Sequence, residues 1–323
     1  MINRLCCEIV VPILWRDPWR YSINYKNKNY LLAMIGFSLP DNIKEFLNSQ
    51  GIQLPSILHQ SLLFDYFSFC ESINIDIMNS IICIGSSFIQ FSLQQEFYNL
   101  IMRKCSELKY LDMGSSIKHQ IYYFPEAKAH LKSLCELKCE TCINYKFFYG
   151  LSRICQNIQR FVIINISPKT VYTGLIKLIE VQKNLKYFEW RDDFLANDNL
   201  CPYEEVFLML EKKADILNNL VINLKYRFFV HSTLQKIILK FHKLKLLMVN
   251  GYVLISKEPS SMLIYPDLEI LHIDYITISA ASSIIENSGG NLKEILLFNT
   301  LILNIILMKN LLILFVTFIN IVL

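Results

Sequence analysis

The chain has 323 residues, of which 53% are apolar, and it carries a net charge of +4. This length can bury a sizeable core, and so small a positive surplus does not favour nucleic acid as a partner. Ten cysteines favour a reducing cytoplasmic or nuclear location, because thiols in that compartment commonly act as small buried apolar groups.

The first twenty residues form a short apolar segment that Pro12 is expected to break and that two tryptophans close. Glu8 interrupts its apolar run, and Arg16-Asp17-Pro18 stands where a secretory signal would carry small residues. The segment is therefore not predicted to be a signal peptide. It is too short to fold alone and is typical of the end of a larger motif.

Three stretches of this segment are informative: Asn3-Arg4-Leu5, Glu8-Ile9-Val10-Val11-Pro12-Ile13-Leu14-Trp15 and Arg16-Asp17-Pro18-Trp19. Together they resemble the last helix and exit of fungal F-box proteins. The opening leucine-proline segment and middle helices of that domain have no counterpart, so residues 1–20 are predicted to be its C-terminal remnant. The resemblance implies contacts with the adaptor subunit of a cullin-RING ubiquitin ligase. The residues concerned are Leu5, Ile9, Val10, Pro12, Leu14 and Trp15.

Residues 21–104 are predicted to form a linker and then a helical segment. Tyr21 to Tyr30 is polar and aromatic, which favours a loop or an extended linker. Asp41 is expected to cap a helix over residues 42–48 that ends at Gly51. Apolar periodicity predicts a further helix from Ser56, and two more near residues 75–84 and 89–104.

Residues 105–300 contain a recurring pattern of three apolar positions, the first, fourth and sixth of each repeat. The steps between first positions lie between 24 and 32 residues, close to the period of about 20 to 29 residues in leucine-rich repeats. The eight triads are Leu108-Leu111-Met113, Leu134-Leu137-Cys139, Ile158-Phe161-Ile163, Leu185-Phe188-Trp190, Leu217-Leu220-Ile222, Leu244-Leu247-Val249, Leu268-Leu271-Ile273 and Leu292-Ile295-Leu297.

These repeats predict an α/β fold, a right-handed leucine-rich-repeat solenoid with short parallel strands inside and helices outside, preceded by an α-helical segment. Helices are expected between the strands, for example over residues 173–183, 202–217 and 232–242. Each repeat alone buries too few apolar groups to offset the entropy of ordering its backbone, so the repeats must stack.

The third and fifth positions of each repeat are expected to point to the concave face of the sheet, since side chains alternate along a strand. Charged and aromatic residues occupy these positions in the early repeats and apolar ones in the late repeats, which suits a protein or peptide ligand. The predicted partner-binding residues are Tyr110, Asp112, Lys138, Arg160, Tyr187, Glu189, Leu246, Met248, His272 and Leu296.

Cys139 and Cys142, with Cys135 before them, have the only metal-like spacing, but a second pair at comparable spacing is missing. Burial of Cys139 at a sixth position is the preferred interpretation, and a zinc or redox site is the alternative. The six histidines form no metal-binding pair, and no nucleophile elbow or phosphate loop is present. No catalytic residue, cofactor or metal is predicted, and the chain is not expected to be an enzyme.

Residues 301–323 form an almost wholly apolar tail that is long enough to cross a bilayer. The repeat step continues into it, at Val316, Ile319 and Ile321, so a degenerate last repeat is the preferred interpretation. A membrane anchor is the alternative, and it would place the protein at a membrane instead of in the cytoplasm or nucleus.

The resemblance and the repeats together imply the substrate receptor of an SCF-type cullin-RING E3 ubiquitin ligase, which binds target proteins and does no bond chemistry itself. Two alternatives remain open at this point. One is a repeat-based binding module uncoupled from ubiquitin transfer because the F-box is incomplete. The other is a tail-anchored membrane protein.

Overall fold

A computed structural model describes residues 4–19, 25–52, 62–105, 107–114, 121–166, 172–194, 203–225, 232–250, 264–274 and 276–298. The chain divides into two compact units, Met1–Ile216 and Leu217–Leu323. The start of the helix predicted from Ser56 and the whole apolar tail, residues 301–323, lie outside the described residues.

The first unit begins with a helix that passes through Pro12. Helix α1 spans Arg4–Trp15, so the predicted break at Pro12 is wrong. A proline within a helix removes one backbone hydrogen bond and crowds the preceding turn, but it does not have to end the helix. The segment after α1 is held by the main chain, because the Glu71 N–H donates to the carbonyl of Arg16 over 2.9 Å.

Two helices follow, α2 at Tyr25–Ser38 and α3 at Asp41–Ser49. The loop predicted over Tyr21 to Tyr30 is therefore wrong from Tyr25 onward. Leu32 and Ile35 are buried, and packing of this apolar part stabilises a helix whose first turns are polar. The helix predicted over residues 42–48 is confirmed, but Asp41 is its first residue and makes no side-chain cap. Gly51 ends this region with φ of 73°.

A strand that the sequence reasoning missed comes next. The 3₁₀ helix η1 at Tyr66–Phe69 leads into strand β1 at Ser72–Asn74, which is followed by α4 at Ile75–Ile81 and α5 at Ser87–Lys104. Cys70, Ile73 and Ile75 fit the repeat pattern and are buried. The pattern went unnoticed because Cys70 lies 108 − 70 = 38 residues before the next first position, Leu108, beyond the 24–32 residue step.

Four more strands complete the sheet of the first unit: β2 at Tyr110–Asp112, β3 at Glu136–Glu140, β4 at Arg160–Asn165 and β5 at Tyr187–Asp192. Each strand pairs in parallel with the one before it. The connections contain η2 at Ile121–Tyr123, α6 at Ala127–Leu131, α7 at Tyr145–Ser152 and α8 at Thr173–Glu180, and α9 at Glu204–Glu211 follows β5.

The second unit has the same organisation. Its strands are β6 at Asn219–Asn223, β7 at Leu246–Asn250, β8 at Ile270–Asp274 and β9 at Glu294–Phe298, and β6 pairs in parallel with β7, β7 with β8 and β8 with β9. Helix α10 spans Ser232–Ile238, and α11 spans Ile278–Glu286. Gly289 and Gly290, both with positive φ, lie in the turn after α11.

The core lies where the repeat pattern predicts it. The first-, fourth- and sixth-position residues of the first seven triads are all at most 1% exposed. The last triad differs, because Leu292, Ile295 and Leu297 are only half-buried. Both units are thus α/β, with parallel strands that stack in sequence order, which is consistent with a solenoid-like arrangement. Among the described helices, none has both the length and the apolar character needed to span a bilayer.

Candidate interaction surface

The strand register of the first unit arranges the side chains that point away from the core in three rows. We call these rows together the unit 1 strand face. The first row is Ser72, Tyr110, Glu136, Arg160 and Tyr187; the second is Asn74, Asp112, Lys138, Val162 and Glu189; the third is Glu140, Ile164 and Arg191. Neighbours within a row are about 4.8 Å apart along the sheet, close enough for direct contact.

Asp112 is buried instead of exposed, which corrects the sequence expectation. Its Oδ2 accepts hydrogen bonds from Lys138 Nζ at 2.8 Å and Asn74 Nδ2 at 3.2 Å. The N–H of Gly114 donates to its Oδ1 over 3.3 Å. Side chains from both neighbouring strands thus cover this carboxylate, which positions Lys138 and is not itself free to contact a partner.

Glu189 is also buried, and the reason is similar. The hydroxyl of Tyr187 donates to its Oε2 over 2.8 Å, and Arg191 donates to its Oε1. A guanidinium nitrogen of Arg160 lies 3.8 Å from the same carboxylate. Glu189 therefore organises the two arginines around it.

Arg160 lies in the first row of the unit 1 strand face, between Glu136 and Tyr187. Its guanidinium carbon lies 3.6 Å from the centroid of the Tyr187 ring, on the next strand. Its Nε lies 3.9 Å from the Glu136 carboxylate, on the preceding strand. Stacking on an aromatic ring holds a guanidinium flat and leaves its N–H edge directed away from the ring.

A cavity of about 200 Å³ opens beside these side chains. Its lining comprises the charged residues Glu136, Lys138, Arg160, Glu189 and Arg191, the aromatic Tyr110, and the apolar Leu137, Val162 and Ile164. Three cationic and three anionic side chains, counting Asp112 behind Lys138, leave the group close to neutral.

Burial and nearby charges also shift the pKa values of three side chains on this face, Glu140, Tyr110 and Tyr187. Burial, followed by the charge of Asp76, raises the pKa of the Glu140 carboxyl above its ordinary value. Burial, followed by the charge of Asp112, raises the pKa of the Tyr110 phenol, and burial and Glu189 do the same for Tyr187. Both phenols therefore remain neutral hydrogen-bond donors at physiological pH.

The second unit presents a more apolar strand face, as the sequence indicates. Two rows are defined by register, Asn219, Leu246, Ile270 and Glu294, and Val221, Met248, His272 and Leu296. Val221 is buried, Leu246, Met248 and His272 are half-buried, and Leu296 is exposed. His272 Nε2 lies 2.8 Å from Glu294 Oε1.

The residues predicted to contact an adaptor lie on a helix whose apolar side chains face solvent. Leu5, Ile9, Val10 and Leu14 are all exposed, Pro12 and Trp15 are half-buried, and Ile13, which was not predicted, is also exposed. The Trp15 ring packs on Tyr66 at 4.8 Å between centroids. The indole N–H of Trp19 donates to the carbonyl of Ser72 over 2.8 Å. The two tryptophans thus fix the end of α1 to η1 and β1.

Cys139 is buried at its sixth position, as the repeat pattern predicts, and burial raises the pKa of its thiol. A thiol of this kind is largely protonated at neutral pH, which makes it a poor nucleophile. Cys142 is half-buried, with Sγ 3.8 Å from Glu140 Oε2. In the part of the chain that the structure describes, no three His, Cys, Asp or Glu side chains group closely enough to hold a metal ion.

A buried polar ladder at the ends of strands β3 to β5 was missed by the sequence reasoning. The Thr141 hydroxyl donates to Asn165 Oδ1 over 2.8 Å, and Asn165 Nδ2 donates to Asp192 Oδ1 over 2.9 Å. Trp190 Nε1 and the Tyr203 hydroxyl also donate to Asp192, each over 2.9 Å. A signal was available, since each ladder residue stands two positions after a sixth-position core residue.

No protein-family model matches the chain, and no curated protein matches it either.

Proposed function

We propose that the chain is a non-catalytic protein-recognition scaffold that binds target proteins through the unit 1 strand face. The observation that carries this proposal is the ordered arrangement of Tyr110, Lys138 and Arg160 around one cavity, with the ring of Tyr187 against the Arg160 guanidinium. Arginine and tyrosine are the residues that most often dominate binding energy in protein interfaces. The overall architecture in this proposal is a right-handed leucine-rich-repeat solenoid that acts in the cytoplasm or nucleus.

Chemical features of the face support binding rather than catalysis. Its titratable side chains pair with one another, Asp112 with Lys138 on the neighbouring strand and Glu189 with Arg191 on the same strand. Paired charges of this kind orient side chains and favour one partner over others, whereas a general base requires a free acceptor within reach of a substrate proton.

Cross-linking of the full chain to proteins in an extract of its own cells, followed by mass spectrometry, tests this function. Captured targets are expected to cross-link next to strands β2 to β5 and to be lost in the Arg160→Gln and Tyr187→Ala variants. Arg153→Gln and Tyr145→Ala, at exposed positions of α7, are the matched controls. Targets that bind the strand-face variants as well as they bind the natural chain would refute the proposal.

A second function is favoured by helix α1. Its apolar residues Ile9, Ile13 and Leu14 are exposed. Trp15 and Trp19 hold the end of the helix against Tyr66 and Ser72. By resemblance, we propose that α1 binds the adaptor subunit of an SCF-type cullin-RING ligase, which makes the chain a substrate receptor. The alternative is a binding module that is uncoupled from ubiquitin transfer.

A pull-down distinguishes these two possibilities. Recovery of both the adaptor and a cullin with the natural chain, and their loss in an Ile9→Asp variant, would support the receptor. Ile9 is exposed, so this change is expected to leave folding intact. Recovery of neither protein would remove the ligase role, and adaptor binding that appears only after a complete F-box is grafted onto the chain would support the uncoupled module.

A further inference from the structure

We propose that the cavity beside Arg160 accepts one carboxylate side chain, an aspartate or glutamate of the bound target. This inference rests on the proposed recognition function and specifies the chemistry of its ligand. It follows from the donors that Arg160 presents, from the charge of the surrounding side chains and from the size of the cavity.

Arg160 retains hydrogen-bonding capacity for a ligand. A guanidinium has five N–H donors. The contacts of Arg160 with Glu136 and Glu189 are 3.9 Å and 3.8 Å long, which is ion-pair distance and longer than a hydrogen bond. Neither contact uses the paired, parallel geometry in which a guanidinium binds a carboxylate most strongly.

Tyr187 holds this guanidinium in place before any ligand arrives. The stacking distance is 3.6 Å, and the tyrosine is itself fixed because its hydroxyl donates to Glu189 over 2.8 Å. Preorganisation of this kind lowers the entropy that binding must overcome. A planar carboxylate can approach along the N–H edge, in the plane of the guanidinium.

The surrounding charges select a single negative charge. Lys138 is paired with Asp112, and Arg191 with Glu189, so the remaining pair is Arg160 and Glu136. The Glu136 side chain is 47% exposed and can turn toward solvent, where its charge is readily hydrated. A ligand carboxylate can then take the place of Glu136 beside Arg160, so that the guanidinium keeps one anionic partner. A phosphate, with its second charge, would remain uncompensated beside Glu189.

The cavity has the size for a side chain. Its volume of about 200 Å³ is below the range of about 300 to 1,000 Å³ that is usual for sites of free small molecules. Val162 and Ile164, which point to the strand face, provide an apolar wall against which the methylene groups of a glutamate can pack.

An array of nine-residue peptides tests the inference with the full-length chain. The central residue is Glu, Asp, Gln, Asn, phosphoserine or Lys, and the flanking positions are randomised. Peptides with Glu or Asp are expected to bind about 10- to 100-fold more tightly than those with Gln or Asn, as for a charge-assisted hydrogen bond.

Three variants accompany the array. Arg160→Gln is expected to abolish the acidic preference, whereas Arg153→Gln, outside the cavity, is expected to retain it. Glu136→Gln removes the competing carboxylate and is expected to strengthen the binding of acidic peptides about two- to fivefold. Circular dichroism of each variant checks that it is folded.

The outcomes separate the inference from the function on which it rests. Selective peptide binding without an acidic preference, or a preference for phosphoserine over Glu, would overturn the carboxylate site and leave recognition in place. An acidic preference that survives Arg160→Gln would also overturn it. If no peptide bound above the Lys background, both the recognition function and the carboxylate site would be rejected.

Discussion

The guanidinium of Arg160 stacks on the ring of Tyr187 at 3.6 Å, and the two residues are register partners on adjacent strands. They hold the third position of successive repeats. Their contact joins β4 to β5 on the side of the sheet away from the core, and it directs the arginine toward the cavity. The following predictions concern the first unit, whose unfolding can be followed by fluorescence because all three tryptophans lie in it.

A double-mutant cycle measures the stacking contact. Arg160→Met and Tyr187→Leu are expected to show a coupling free energy of about 0.5 to 1 kcal/mol in urea unfolding, since this is a partly exposed cation–π pair. Lys44 and Phe37, whose cation and ring are 5.8 Å apart, are the control pair and should show a smaller coupling. Additive effects of the two strand-face substitutions would contradict the prediction.

The buried carboxylate of Asp112 is expected to stabilise the first unit. Asp112→Ala leaves the N–H of Gly114 and the donors of Lys138 and Asn74 without this acceptor, which should lower the free energy of unfolding by about 1 to 3 kcal/mol. Asp41→Ala is the control, because Asp41 is exposed and forms only a surface ion pair with Lys44. Equal losses of unfolding free energy in the two variants would show that the buried contacts of Asp112 do not stabilise the first unit.

Disruption of the polar ladder should lower the free energy of unfolding more than the loss of Asp112 does. Asp192→Ala removes the acceptor of three buried donors, on Asn165, Trp190 and Tyr203, and is expected to cost at least about 3 kcal/mol. The neighbouring Asp193→Ala changes an exposed side chain and preserves the backbone N–H that donates to Asn165. Urea unfolding of both variants compares them directly, and a loss below 1 kcal/mol for Asp192→Ala would argue against the ladder as a structural element.

Glu140 should reduce stability at neutral pH. Its pKa in the folded protein is raised, so the folded state holds this proton more tightly than the unfolded state does. Stability is therefore lost as pH rises from the ordinary glutamate value of 4.5 through the folded-state pKa. The Glu140→Gln variant is expected to be more stable than the natural chain at pH 7 and to lose this advantage below pH 4.5.

Unfolding midpoints measured across this pH range check the sign of the effect. Glu126→Gln, at the exposed start of α6, shows what an amide substitution does outside the strand face. A Glu140→Gln variant that was less stable than the natural chain at pH 7 would contradict the prediction.

The sequence by itself determined which residues form the core and which strands stack. Leu244, Leu247 and Val249, and their counterparts in six other repeats, are buried because the alternation of side chains along a strand is a local property that a pattern can show. The pattern also assigned Arg160 and Tyr187 to the same position of successive repeats, and the strand register places them side by side.

The tertiary structure alone decided how the strand-face side chains pair. Asp112 and Glu189 were expected to be exposed, and both are buried, because Lys138 and Arg160 reach them from neighbouring strands and Arg191 reaches Glu189 along its own strand. Strand β1 likewise escaped the pattern, since its repeat has an unusually long step. Alternation specifies which face a side chain occupies, whereas its burial depends on charges contributed by residues distant in the chain.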